Sequence, residues 1–281
     1  MPAVQRITSR NARFQQWQAL LTNRNKRQRA GEFLVQGVRP ISLAVEHGWP
    51  VRALIFDGSR NLSRWGQELL RTVRTEQIAM APALLAELGE KNESAPEVIA
   101  VVGMPADDLD RIPVGDDFLG VLFDRPTSPG NIGSIIRSAD AFGAHGVIVA
   151  GHAADVYDSK SVRASTGSLF ALPAVRVPAP REVADWVAGQ RASGRGVTLV
   201  GTDEHGDCDV FDFDFTQPVL LLVGNETSGL SNAWRELCDH TVSIPMTGAA
   251  SSLNAANAGT AVLYEAARQR IAAARRGPRP V

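Results

Sequence analysis

Three short stretches of this 281-residue chain gather polar side chains just where apolar runs end. The first runs Asp124-Arg125-Pro126-Thr127-Ser128-Pro129-Gly130-Asn131-Ile132-Gly133-Ser134-Ile135-Ile136-Arg137 and places an amide and a guanidinium six residues apart. The second, Gly224-Asn225-Glu226-Thr227-Ser228-Gly229-Leu230, adds another amide and a carboxylate directly after Val219 to Val223. The third, Ser251-Ser252-Leu253-Asn254, comes shortly after Ile244-Pro245-Met246 and opens an alanine-rich C-terminal helix. Each is expected at the carboxyl end of a parallel strand, which is where an open α/β sheet binds its ligand. Groups of these types are suited to holding and orienting a polar substrate.

Taken singly, each turn also has a structural reading. Asn131 can cap a helix, Gly133 permits a close backbone approach, and Arg137 can pair with Asp140 or Asp124. Gly224-Asn225-Glu226 can be an Asx-type loop. One serine would suffice to cap the last helix, so Ser251, Ser252 and Asn254 together, beside Ala255, Ala256, Ala258 and Ala261, suggest a pocket lined by backbone.

The elements that must position these turns follow from periodicity. Near-continuous apolar runs at Phe118 to Phe123, Gly146 to Ala150, Val197 to Gly201, Val219 to Val223 and Thr241 to Ile244 predict parallel strands covered on both faces. Helices are expected at about 131–142, 160–170, 180–192, 231–237 and 252–274. Upstream, Phe33 to Val35, Ile41 to Val45, Val51 to Phe56, Leu62 to Val73 and Val98 to Val102 read as a small αβα unit. The Pro-, Asp- and Gly-rich stretch 104–117 reads as a linker. The expected organisation is a basic arm over 1–30, an αβα domain over 31–108, a linker over 109–117, a sheet domain over 118–275 and a frayed tail over 276–281.

Composition excludes several classes. With 44% hydrophobic residues the chain can build a proper core. No apolar run approaches the ~20 residues of a membrane span, and no signal-peptide core opens the chain. A cytoplasmic protein without a membrane partner is expected. The two cysteines, Cys208 and Cys238, form no CxxC and have no histidine at zinc-ligand spacing. Neither GxxxxGK[ST] nor a GxGxxG turn after a strand is present, so any nucleotide-like cofactor is held in some other way. The net charge of −1 conceals an asymmetry: Arg6, Arg10, Arg13, Arg24, Lys26, Arg27 and Arg29 fall within the first 30 residues, with no Asp or Glu among them. Such an arm suits a polyanion. Phe14 and Trp17 can stack on bases, or can form the buried stripe of a helix over 11–22 with Leu20 and Leu21.

In order and spacing the three turns resemble the motifs of the SpoU (TrmH) family of RNA ribose methyltransferases in the SPOUT superfamily. These are N-x-G-x-x-x-R at Asn131 to Arg137, G-N-E-x-x-G-L at Gly224 to Leu230, and I-P-M at Ile244 to Met246 followed by S-L-N at Ser252 to Asn254. Ser165 to Ser168 and Leu172-Pro173 fit between the first two, and no motif position departs from the pattern. The resemblance implies an α/β fold whose parallel sheet ends in a C-terminal trefoil knot, plus a small N-terminal αβα ribosomal-protein-like domain. It further implies S-adenosylmethionine held mainly by backbone at Thr202, Gly224, Asn225, Glu226, Ile244, Met246, Ser252, Leu253 and Asn254. The catalytic set implied is Asn131, Arg137, Glu226, Ser252 and Asn254, with Arg137 beside the ribose hydroxyl and a phosphate. Arg10, Arg13, Arg24, Lys26, Arg27 and Arg29 become RNA phosphate contacts, no metal is needed, and the protein is a homodimer through the knotted domain. Segments Ser9 to Arg27 and Asp124 to Val149 are most like a member acting on large-subunit ribosomal RNA, which implies resistance to a ribosome-targeting antibiotic.

Three alternatives remain open from the residues. One is an RNA-binding protein of the same fold without turnover, and another is a tRNA ribose methyltransferase. The third is a metal-dependent phosphotransferase built on Asp203, Asp207, Asp209, Asp212 and Asp214, acids that can equally be a solvated loop.

Overall fold

Seven strands, almost all of them buried apolar runs, form the sheet that carries the three polar turns. The computed structural model describes residues 4–90 and 95–276, and the expected tail at 277–281 lies outside them. The chain separates into two units, one running to Pro105 and joined by Tyr157–Ala171, the other built from Ala106–Val156 and Leu172 onward.

The first unit contains β1 (Gln5–Ile7), α1 (Ala12–Thr22), α2 (Arg24–Ala30), β2 (Glu32–Gln36), α3 (Val38–Glu46), β3 (Val51–Asp57), α4 (Arg64–Thr72), β4 (Glu76–Met80), α5 (Pro82–Leu88) and β5 (Val98–Gly103). Its sheet order is β1-β4-β3-β5-β2, with β5 antiparallel to both neighbours. Of the arm expected over 1–30, the described residues from Gln5 onward are part of this unit's sheet and core. β1 pairs in parallel with β4, and Phe14, Trp17, Leu20 and Leu21 join Ile55, Ile78 and Leu85 in one core. Burying four large apolar groups outweighs the local basic composition, so the stripe reading of the helix is the one realised.

In the second unit the chain runs β6 (Leu119–Asp124), α6 (Pro129–Ala141) and β7 (Gly146–Ala150). It then gives α7 (Ser159–Ser165) and α8 (Ser168–Ala171) to the first unit. The single helix expected at 160–170 is broken because Thr166 takes a left-handed φ of 49° and Gly167 follows at 105°. Back in the second unit come β8 (Ala174–Val177), α9 (Pro180–Ala192), β9 (Thr198–Thr202), β10 (Cys208–Asp209), β11 (Val219–Val223), α10 (Asn232–Arg235), β12 (His240–Ser243) and α11 (Ala255–Arg276). The order is β10-β12-β9-β11-β6-β7-β8, every pair parallel. The chain proceeds from β6 to β7 and β8 on one side, then crosses to build β9 to β12 on the other. The switch point thus lies between β6 and β11, whose carboxyl ends carry the first two turns.

Arg27, expected on RNA, is 2% exposed. Its Nη1 donates to the carbonyls of Leu20 (2.6 Å) and Leu21 (3.0 Å) at the end of α1, and its guanidinium lies 3.6 Å from Asp158. It closes the break between α1 and α2 instead of facing solvent. Replacing it strands two buried carbonyls and a carboxylate, so Arg27→Met is expected to cost about 3 kcal/mol. An unchanged urea midpoint, followed by tryptophan fluorescence, would refute this.

Candidate active site

The first turn begins with a buried charge. Asp124, 1% exposed at the end of β6, accepts from Arg125 Nε (3.0 Å) and Nη2 (2.9 Å) and from the backbone N–H of Ser231 (2.9 Å). Arg125 also donates to the Gly229 carbonyl at 3.2 Å, and its own carbonyl accepts from Asn225 Nδ2 at 2.6 Å. The first and second turns are thereby fastened together through residues 124 and 125.

α6 then starts with Pro129 in its first turn and Ser128 as the N-cap, its hydroxyl accepting from Asn131 N–H at 3.4 Å. The cap expected of Asn131 is thus taken by Ser128, because Ser-Pro-Gly supplies a cap and a proline first position together. This frees the Asn131 side chain, whose Nδ2 donates to Glu226 Oε1 at 2.7 Å. Glu226 Oε2 accepts from Thr127 N–H (3.3 Å), Thr127 Oγ1 (3.2 Å) and Asn225 Nδ2 (3.4 Å). Burial pushes this carboxyl up, but the hydrogen bonds from Asn131 and Thr127 outweigh it and leave Glu226 below the ordinary value. Glu226 is an anion at neutral pH.

The third turn departs from expectation at its boundary. α11 begins at Ala255, not 252, because Asn254 is its cap: Oδ1 accepts from Ala256 N–H (3.0 Å) and Asn257 N–H (3.2 Å). Asn254 Nδ2 then points outward and donates to Asn131 Oδ1 at 3.2 Å. Ser251 and Ser252 lie before the helix, exposed. Asn254, Asn131 and Glu226 form one directed chain of hydrogen bonds joining all three turns.

Beside this chain lies a cavity of about 450 Å³, within the ~300–1,000 Å³ range of small-molecule sites. Thr202, Gly224, Asn225, Glu226, Ile244, Met246, Ser252 and Leu253, eight of the nine residues that the resemblance implies for the cofactor, line it. Asn254 does not; it meets the site through Asn131. Val223, Ile244, Met246 and Leu253 give the cavity an apolar wall, while Gly224 shapes its floor. A Cβ there would lie 2.4 Å from the Gly229 and Leu230 backbone, so the fold-back of residues 224–230 requires glycine.

Arg137 stands apart. It is exposed on α6, outside the cavity wall, and makes no hydrogen bond or ion pair among the described residues. Both alternatives for it fail, since Asp124 is taken by Arg125 and Asp140 makes no contact with it. Of the other expected RNA contacts, Arg10 pairs with Glu87 at 2.6 Å and Arg13 with Glu76, whereas Lys26 and Arg29 are exposed and Arg24 is half-buried. Four of the acids of 203–214 have local partners: Asp203 pairs with Arg235, Asp207 accepts from Thr241 N–H, Asp209 from Ser243 Oγ and Asp214 from Thr216 N–H. No group of three His, Cys, Asp or Glu residues among the described ones is placed to hold a metal ion.

Several site residues escaped the sequence reading. Thr127 holds Glu226, the pair Asp124–Arg125 holds both turns, and Asp203, Glu204, His205 and Arg235 add to the cavity wall. The Asp-Arg-Pro-Thr segment after β6 carried a signal for the first three; residues 203–205 and 235 carried none, since they meet only in space.

Residues 119–264 match the SpoU rRNA methylase family, and residues 11–100 match the SpoU L30e-like domain. The chain is 83% identical over 270 residues to the 23S rRNA (uridine(2479)-2'-O)-methyltransferase of Streptomyces viridochromogenes, covering 96% of this chain and 94% of that one. Among solved structures, the SpoU methyltransferase AviRb of Streptomyces viridochromogenes in complex with AdoMet superposes with a TM-score of 0.91 at 83% identity, over 93% of this chain and 99% of that one. An AdoMet-bound rRNA methyltransferase from Sinorhizobium meliloti superposes at 0.82 with 29% identity, over 94% and 98%.

Because the Glu226 carboxyl is held below the ordinary value near 4.5, its contribution to stability is present above that pH and is lost as pH falls through the lower folded value. Glu226→Gln is expected to lower Tm at pH 7 by about 2–4 °C, equivalent to roughly one hydrogen bond. The gap to wild type should narrow as pH falls below 4.5 and through the lower folded value. A gap independent of pH between 7 and 3 would show that the carboxylate is not the group being held.

Proposed function

Since the chain belongs to the SpoU rRNA methylase family, we propose that it is an S-adenosylmethionine-dependent methyltransferase acting on a ribose 2'-hydroxyl of 23S ribosomal RNA. The observation that carries this reading is the cavity lined by the second and third turns, whose Glu226 is tied to Asn131 of the first turn and through it to Asn254. Its residues fit the cofactor: apolar side chains for a flat base, backbone-exposing glycines at 224 and 229, and a volume adequate for a nucleoside with an amino-acid tail. The 83% identity to a uridine 2'-O-methyltransferase extends over the whole site and supports a uridine as the target.

S-adenosylmethionine, when bound, supplies a methyl group on a cationic sulfur. The remaining work falls to the protein. The 2'-oxygen must be brought in line with that carbon, its proton must leave to solvent as the new C–O bond forms, and developing charge on the oxygen must be stabilised. Asn131, locked between Glu226 and Asn254, has a fixed orientation at the cavity edge. Glu226 accepts four donors and so orients groups instead of serving as an acid. Arg137 retains its full donor set, which suits it to a substrate phosphate and the developing alkoxide; a guanidinium is effectively never neutral and does not serve as the base. Ser252 lines the cavity and offers a hydroxyl to the same end.

We also carry forward a homodimer through the second unit. Tyr264 and Ile271, one heptad apart on α11 and 59% and 53% exposed, support it, and light scattering tests it. Protection against an avilamycin-like ribosome-targeting antibiotic is proposed as what the resemblance carried by Ser9 to Arg27 and Asp124 to Val149 implies. Its test is the survival of a sensitive strain expressing this chain against one expressing Arg137→Ala.

The enzymatic reading is tested by treating 23S rRNA with the protein and S-adenosylmethionine and then hydrolysing with alkali. One protected linkage is expected, because a methylated 2'-oxygen cannot attack its own phosphate; full cleavage would overturn the reading. Arg137→Ala is expected to lower turnover about 100-fold with cofactor affinity unchanged, and Arg137→Lys to restore only part of it. With Lys26 and Arg29 both changed to Ala, the slope of log affinity for RNA against log salt should fall by about 1.4–1.8.

A further inference from the structure

The cofactor cavity has a second wall that neither the sequence motifs nor the catalytic turns account for. It is made by residues 203–205, at the carboxyl end of β9, and by Arg235 of α10. The turn is firmly seated. Asp203 N–H donates to the Val242 carbonyl at 3.0 Å, and a Cβ on Gly206 would lie 2.4 Å from the Val242 backbone. Asp203, with its side chain 16% exposed, accepts from His205 N–H at 3.0 Å and pairs with Arg235 Nη2 at 2.9 Å. Arg235 is held from the other side by its Nε, which donates to the Leu230 carbonyl at 3.1 Å.

These contacts use Nε and Nη2 of Arg235 and leave Nη1 without a partner among the described residues. The adjoining Glu204 carboxylate is exposed on the same wall and likewise makes no hydrogen bond or ion pair among the described residues. Arg235 and Glu204 therefore line the same cavity as the apolar set Val223, Ile244, Met246 and Leu253. A ligand that satisfies both walls has an apolar flat part and, at its other end, a group carrying both an anion and a cation. An α-amino acid is such a group, and a hydrogen bond from a guanidinium to a carboxylate is among the stronger, charge-assisted ones.

We infer that Arg235 and Glu204 form the receptor for the α-amino acid end of the cofactor, Arg235 taking its carboxylate and Glu204 its ammonium, with Asp203 as the positioning residue that orients Arg235. This rests on the proposed function in placing S-adenosylmethionine in the cavity. It assigns specificity to residues outside the three motifs: the apolar wall holds the nucleoside, and the ionic wall distinguishes the complete cofactor from a nucleoside without the amino-acid tail.

The test is equilibrium binding by calorimetry to wild-type protein, Arg235→Gln and Glu204→Gln. The probes are S-adenosylmethionine, S-adenosylhomocysteine, decarboxylated S-adenosylmethionine and 5'-methylthioadenosine. Arg235→Gln is expected to weaken both complete ligands about tenfold, the scale of one charged hydrogen bond, while leaving the decarboxylated ligand and methylthioadenosine unchanged. Glu204→Gln is expected to weaken all three ligands that carry an ammonium and to spare methylthioadenosine. Equal losses for methylthioadenosine in either variant would mean the wall is structural and would overturn the inference, as would full retention of S-adenosylmethionine affinity in both. Absence of binding of every probe to the wild-type protein would overturn instead the cofactor assignment on which the inference rests.

Discussion

A carboxylate without solvent governs this site. Asp124 lies buried at the end of the central strand β6, and burying an isolated charge costs several kcal/mol unless it is paired and hydrogen-bonded. The partner is its own neighbour, Arg125, and a bidentate contact between adjacent residues is reached only with the backbone turned back on itself. Arg125 accordingly has a φ of 47°, a conformation that costs roughly 1–3 kcal/mol for a residue with a side chain. Gly151 makes room for it, since a Cβ there would be 2.9 Å from Arg125 Cγ. Once Arg125 is fixed, its carbonyl and its remaining N–H groups reach Asn225 and Gly229, and Asp124 itself takes the N–H of Ser231. The loop after β11 is thus positioned by the loop after β6.

The same logic sets the direction of the amide chain. An asparagine amide has one accepting and one donating end, and the helix cap at α11 requires Asn254 to present its oxygen inward. Its nitrogen must then face Asn131, which has to turn its oxygen toward Asn254 and its nitrogen toward Glu226. Glu226 receives that donor only as an acceptor, which the Thr127 donors reinforce. A helix terminus therefore fixes the orientation of two side chains beyond it without any further contact.

Much of this arrangement was legible in the chain. Five of the seven strands of the second sheet follow from apolar runs, because a strand covered on both faces leaves few polar positions to break the pattern; β7 and β11 fall at their expected bounds. Strands β1, β4, β8 and β10 were missed, being short or mixed, as Gln5–Ile7 and Glu76–Met80 illustrate. They are strands because their neighbours supply hydrogen bonds, a tertiary cause invisible to local propensity. Arg27 shows the same limit in side chains. One more cation in a basic stretch reads as a surface group, and only the break between α1 and α2 explains why it is buried. The clusters at 131, 226 and 254 were found because turn residues and strand ends coincide, whereas the wall at 203–205 and 235 joins segments unrelated in pattern.

The division between satisfied and unsatisfied groups bears on how a site of this kind works under the proposed function. Asn131, Glu226 and Asn254 hold one another, so their entropy is already spent when a substrate arrives. Arg137 and Ser252 are exposed and make no hydrogen bond among the described residues. Ordering Arg137 costs up to about 2 kcal/mol of rotamer freedom, which must come from contact with the substrate itself. An RNA that places a phosphate within reach of Arg137 supplies it; one that does not leaves the guanidinium disordered and the developing charge on oxygen unstabilised. Binding energy from the RNA is thereby converted into turnover, and discrimination between substrates appears in the chemical step as well as in affinity. The rigid part of the site holds its own geometry constant, and selection falls on Arg137, whose exposed guanidinium is left to respond.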